Sequence, residues 1–187
     1  NQLLKLNVDF LTKLTYLSCY SNELIELHIS NLINLEELYC DGNNIPSLKI
    51  GSLSKLTWLN CSDNALPQLY VYGLTNLKGL KCSYNKLTSL DVSELISLES
   101  LECFNNKLDT LDLSNLKNLK YITLAGEQLP VELSQNLHSI SGAKIYNGYG
   151  PSETTVFATL TDVTNKTTQM TIGKPLCNTH IYILDKN

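Results

Sequence analysis

The stretch Asn147-Gly148-Tyr149-Gly150-Pro151-Ser152-Glu153-Thr154-Thr155 gathers residue types that can handle a charged ligand. Its two glycines let a ligand approach the backbone closely. Tyr149 offers a flat face, and such stacking is worth roughly 1–3 kcal/mol per base. Ser152 and Thr154 offer hydroxyls to a phosphate, and Glu153 is a hard oxygen ligand suited to Mg²⁺. A glycine turn also serves plain chain reversal, so the residues alone leave both readings open. The cysteines and histidines point the other way. No Cys-x-x-Cys pair occurs among the six cysteines, and five of them stand 21 residues apart, at Cys19, Cys40, Cys61, Cys82 and Cys103. Equivalent positions on parallel rungs read as buried, reduced thiols acting as small hydrophobes. Cys177 lies outside that series, and His28, His138 and His180 show no metal-ligand spacing from one another or from a cysteine.

The elements that must position these residues follow from the same 21-residue step. Asparagines fall at Asn22, Asn43, Asn64, Asn85 and Asn106, and leucines at Leu17, Leu38, Leu59, Leu80 and Leu101. One unit reads Leu-x-x-Leu-x-Cys-x-x-Asn-x-Leu, then Leu-x-Val/Ile/Leu-x-x-Leu-x-x-Leu. Leu17 and Cys19 are two apart, so a strand there sends both inward. Each asparagine suits a tight turn and can bond backbone groups, so stacked copies form a ladder. A single unit leaves its leucines wet, and stability comes from neighbours stacking.

The pattern resembles the short bacterial form of the leucine-rich repeat family, over residues 1 to about 124, with cysteine where leucine is usual. The resemblance implies a solenoid with a curved parallel sheet. Stepping back 21 residues from Asn22 and Leu24 gives Asn1 and Leu3, so the chain begins in mid-repeat and reads as a piece of something longer. The outward strand positions of five rungs include Tyr16, Tyr20, Tyr39, Trp58 and Phe104. That is five aromatics in fifteen positions, against 7% in the whole chain. Either they anchor a protein or peptide partner on the concave face, or they pack across rungs and stabilise the sheet.

The step predicts a sixth rung at Ile122 and Leu124, but Glu127 stands where the next asparagine would be. Leucine period and composition both change between about 117 and 130. The tail then reads as strand (120–125), a helix opened by Pro130 with Val131, Leu133, Leu137 and Ile140 on its apolar face up to Gly142, and strand (143–147). This is a βαβ unit whose first strand is also the last rung, so the sheet is expected to run on without a break. The glycine turn then lies at the carboxyl end of a parallel strand, where α/β sheets bind ligands.

Residues 147–153 also resemble the Asn-x-Tyr-Gly-Pro-Thr-Glu motif of amino-acid adenylation domains in nonribosomal peptide synthetases, members of the AMP-forming ligase superfamily. Ala125-Gly126-Glu127-Gln128-Leu129-Pro130 resembles the turn upstream of that motif. Ile172-Gly173-Lys174-Pro175 and Asn178-Thr179-His180-Ile181-Tyr182-Ile183-Leu184-Asp185 resemble the segment downstream. The resemblance covers 117–187. It implies a nucleotide site of Asn147 and Tyr149 on the adenine, Gly150 at the turn, Ser152 on the α-phosphate and Glu153 on Mg²⁺. It also implies a substrate pocket lined by Thr123, Ala125, Gly148, Val156 and Phe157; plain strand packing explains those five equally well. ATP and Mg²⁺ are therefore the expected cofactors of this segment, and the repeats need none.

The family's phosphate loop, its aspartate for the substrate ammonium, its ribose-binding aspartate and its catalytic lysine have no counterpart in the 187 residues. Charge stabilisation from both sides of the phosphates is then missing, and no catalytic residue is assigned. The expected class is α/β: repeats over 1–118, five full and one partial, continued by a partial adenylation segment over 119–187. The expected function is an interaction scaffold that is inactive as a ligase on its own. The alternative is a portion of a synthetase that activates an amino acid as its adenylate. A net charge of −4 argues against a nucleic-acid partner, and no apolar run approaches the ~18 residues of a membrane span. The expected partner is a protein or peptide, with ATP second. Reduced cysteines and the adenylation resemblance favour the cytoplasm.

Overall fold

The computed structural model describes residues 2–125, 131–149, 159–164 and 174–175. Short strands form where the 21-residue step pairs inward residues. They are β1 (Lys5–Asn7), β2 (Tyr16–Ser18), β3 (Glu26–His28), β4 (Glu37–Tyr39), β5 (Trp58–Asn60), β6 (Gly79–Lys81) and β7 (Ser100–Glu102). They continue as β8 (Tyr121–Ala125), helix α1 (Val131–Ser141), β9 (Lys144–Tyr149), β10 (Thr159–Asp162) and β11 (Lys174–Pro175). One nine-stranded sheet runs β11-β10-β9-β8-β7-β6-β5-β4-β2, and β1 and β3 form a separate pair. From β2 to β9 the sheet is parallel. Its register matches the ruler: Leu17 lies beside Leu38, Leu38 beside Leu59, and Leu101 beside Ile122.

The inward leucines and cysteines make one hydrophobic core. Leu38, Leu59, Leu80 and Leu101 are fully buried, as are Cys40, Cys61 and Cys82. All five ladder cysteines are free thiols. The core does not stop where the leucine period stops, because Leu119, Ile122, Ala143, Ile145 and Val163 belong to the same cluster as Leu101.

The asparagine ladder closes the turns. Asn43 Nδ2 donates to the Cys40 carbonyl at 3.0 Å and to the Cys19 carbonyl of the preceding rung at 3.1 Å. Its Oδ1 accepts from the Leu24 N–H at 3.0 Å. Asn64, Asn85 and Asn106 repeat the set. The asparagine itself is not the strained residue. Left-handed backbone falls one position earlier, at Ser21, Gly42, Asp63, Tyr84 and Asn105. That reversal turns the following amide inward onto the carbonyls of two rungs, so the hydrogen bonds of the asparagine offset its neighbour's strain.

Two expectations change at the tail. Among the described residues α1 is the one helix, so the architecture is a β-solenoid with six rungs on the 21-residue step rather than an α/β protein. Among the described residues no separate α/β body stands beside it, because β8 and β9 extend the repeat sheet. The strand–helix–strand reading itself matches the elements. Gly142, with φ of 68°, ends α1, and its N–H bonds the His138 carbonyl at 2.7 Å. Pro130 lies outside the described residues. Strand β10 folds back antiparallel on β9, and Ser134 of the helix donates to the Val163 carbonyl at 3.0 Å, tying helix to sheet.

Candidate functional site

The alternation of the strands sorts every candidate by face. Leu17, Leu38 and their equivalents point to the core, so Tyr16, Glu37, Trp58, Gly79, Ser100 and Tyr121 form one outward row. Ser18, Tyr39, Asn60, Lys81, Glu102 and Thr123 form the next. Tyr16 and Tyr20 are more than half exposed. Tyr39 and Trp58 are half-buried. The Tyr16 and Tyr39 rings lie 5.6 Å apart, and the Tyr39 hydroxyl donates to Glu37 Oε2 at 3.0 Å. Burial first, and the Glu37 carboxylate second, push the Tyr39 hydroxyl above its usual range, so it stays a donor.

Trp58 owes its pose to the glycine beside it. Gly79 is its register partner, and a Cβ there would sit 2.2 Å from Cζ3 of the indole. The ring therefore lies over Gly79. Past it opens a groove of about 420 Å³ whose lining includes Glu37, Tyr39, Trp58, Glu99, Ser100 and Tyr121. Tyr121 in turn packs on Tyr146 of β9, centroids 6.2 Å apart. The aromatic row thus crosses from the repeats onto the tail. Sequence reasoning missed Tyr121 and Tyr146, although a signal for the first was present: Tyr121 stands one 21-residue step beyond Ser100, on the sixth rung.

Phe104 differs from the other four aromatics. It is 9% exposed, and Tyr84 meets it edge to face at 5.3 Å. Its position at the end of the rung, next to a left-handed residue, folds the ring in rather than out. Beside it a second groove of about 380 Å³ opens at the turn end of the face, lined among others by Asp41, Asn60, Asp63, Lys81, Ser83 and Tyr84.

The nucleotide-type residues are only partly described. Thr123, Ala125 and Gly148 share one face, since Thr123 lies beside Tyr146 and Ala125 beside Gly148. That is the same face as the outward row of the repeats. Asn147 is on the opposite face with Ile145, beside Leu124, and is 6% exposed. Its side chain is therefore covered among the described residues. Tyr149 ends β9. Gly150, Ser152, Glu153, Val156 and Phe157 lie outside the described residues, as does Cys177. Among the described residues no cluster of three or more His, Cys, Asp or Glu could hold a metal ion. Burial pushes the ladder thiols well above their ordinary range, Cys19 to about 11 and Cys103 to about 12, so they carry no nucleophilic chemistry.

Comparison with known proteins adds two relationships. Residues 64–187 match the family model described as AMP-binding enzyme. The chain belongs to the AMP-binding enzyme family. This family member is 44% identical over 70 residues to bacitracin synthase 2 of Bacillus licheniformis, a match of 36% of the chain but 3% of that protein. It is 41% identical over 66 residues to tyrocidine synthase 3 of Brevibacillus parabrevis, over 35% of the chain and 1% of that protein. The chain thus spans a few hundredths at most of the length of these curated relatives. In fold the same AMP-binding family member is similar to the functional domain of InlJ from Listeria monocytogenes, which includes a cysteine ladder. There the TM-score is 0.66 at 37% identity, over 76% of this chain and 33% of that one. A leucine-rich-repeat protein of Leptospira interrogans matches with TM-score 0.67 at 27% identity, over 80% of this chain and 41% of that one. The family match begins at Asn64, within the repeats, so it takes in both parts of the sheet.

Proposed function

We propose that the chain is a protein-interaction scaffold whose concave sheet face binds a protein or peptide, and whose tail is an incomplete adenylation segment without ligase activity of its own. The observation that carries this reading is the aromatic row on one continuous sheet, from Tyr16 and Tyr39 over Trp58 to Tyr121 and Tyr146. Aromatic anchors on a rigid, preformed surface bind at low conformational cost. Ser100→Arg tests it by filling the groove while removing no stacking contact. The variant should retain its melting temperature, as half-exposed surface substitutions do within about 0.5 kcal/mol, and should lose the partner that the native chain captures. Capture unaffected by Ser100→Arg overturns the reading.

The family match favours a second reading, a portion of a synthetase that activates an amino acid with ATP and Mg²⁺. In it Asn147, Tyr149, Gly150, Ser152 and Glu153 contact nucleotide and metal. Amino-acid-dependent exchange of pyrophosphate into ATP decides between them. The scaffold reading expects none; exchange that Glu153→Ala abolishes supports the synthetase.

A further inference from the structure

The groove at the turn end of the outward sheet face has a mostly acidic wall. Asp41, Asp63 and Glu102 line it, with Lys81 as its one cationic lining residue. Lys81 is already engaged, with its ammonium 2.9 Å from Glu102. Neither Asp41 nor Asp63 forms an ion pair among the described residues, although Asp41 is half-buried. Burial holds the Asp41 carboxyl above its ordinary range, although a backbone hydrogen bond and the nearby charge of Lys81 pull it down; the charge of Asp63 adds to the rise. A second and independent observation lies on the groove wall. Ser83 is 1% exposed, and its Oγ has no hydrogen-bond partner among the described residues. A buried hydroxyl without a partner is unfavourable, and a donor entering the groove would satisfy it.

The chemistry of the wall selects the ligand. A metal ion is a poor fit, since no cluster of metal-binding side chains occurs among the described residues. Two carboxylates, one hydroxyl acceptor and the half-exposed ring of Tyr84 suit a planar cation that donates several hydrogen bonds and packs on an aromatic ring. A guanidinium does both with one flat group, stacking on the ring while its fixed fork donates to the carboxylates; an ammonium can sit over a ring but has neither the flat face nor the fork. We propose that this groove binds an arginine side chain, presented by a partner segment lying across the rungs. The inference rests on the proposed protein-binding role of the concave face and names what that face reads.

Amide NMR titration with Nα-acetyl-arginine amide, beside its neutral isostere Nα-acetyl-citrulline amide, tests it. The expected result is saturating shifts at Asp41, Asp63 and Ser83 with the arginine probe alone. Asp41→Asn should weaken that binding at least about tenfold, and added salt should weaken it in the native chain. Ser83→Ala should also weaken it, and serves as the second variant should Asp41→Asn fold poorly. Equal shifts with citrulline, or none with arginine at millimolar concentration, overturn the proposal. If the arginine probe fails while Ser100→Arg still abolishes capture, the scaffold reading stands and only the arginine assignment falls.

Discussion

At the residue scale, Asp41 carries a tension between stability and recognition. Its carboxyl is half-buried without an ion-pair partner, so its proton is held more tightly in the native state than in the unfolded chain. The native state then binds more protons between the ordinary value of 3.8 and the raised native value, and stability falls as pH rises through that window. Asp41→Asn removes the cost. The variant should resist urea better than the native chain at pH 7, and the difference should close as the pH falls well below 3.8, where the carboxyl is neutral in both the folded and the unfolded chain. A variant that is less stable at pH 7 would show that the ionised carboxylate is favourable in the fold. Other residues were plain in the sequence. The five asparagines and five cysteines announce their roles because each sits in the same environment five times. Phe104 was not legible, because its burial depends on Tyr84, a left-handed turn residue of the neighbouring rung. The left-handed position itself was hidden for a related reason. Ser21, Gly42, Asp63, Tyr84 and Asn105 share a backbone angle but no side-chain type.

At the element scale, the sheet face is shaped by pairs of opposed residues. Gly79 is the floor on which Trp58 lies, and even a methyl group there would meet the ring. Gly79→Ala should tilt the indole off the sheet and cost about 1–3 kcal/mol, as overpacking does. Trp58 is the single tryptophan of the chain, so its fluorescence maximum should move to the red as the ring enters water. An unchanged spectrum would mean that the ring has room to slide. The strand, helix and strand of the tail were readable from β-propensity, apolar spacing and Gly142. The placement of β10 was not. Its pairing with β9 is antiparallel and reached through residues whose local pattern names no partner, whereas the parallel rungs inherit their register from the repeat.

At the scale of the whole molecule, repeats and tail share one core and one sheet. The expected solenoid and its parallel sheet are present, but the separate α/β adenylation segment is not seen among the described residues, because a resemblance to a family predicts that family's layers. What decides the architecture is which strands pair, and β8 pairs in one parallel sheet with the last rung β7 on one edge and with β9 of the tail on the other. Ile122 stands at that junction and is fully buried. Ile122→Ala should cost roughly 2–5 kcal/mol. Trp58, three rungs away, should report the same lowered urea midpoint as circular dichroism does. A Trp58 midpoint that stays in place would show that tail and repeats unfold as separate units.

Whether a partner lies on the sheet face is read by a photoreactive benzophenone side chain placed at Ser100, which lines the groove. The same group at Ile96, exposed but outside the sheet, is the control. The captured partner should cross-link from position 100 and not from position 96. Cross-linking from 96 alone would place the partner off the concave face and refute the scaffold reading.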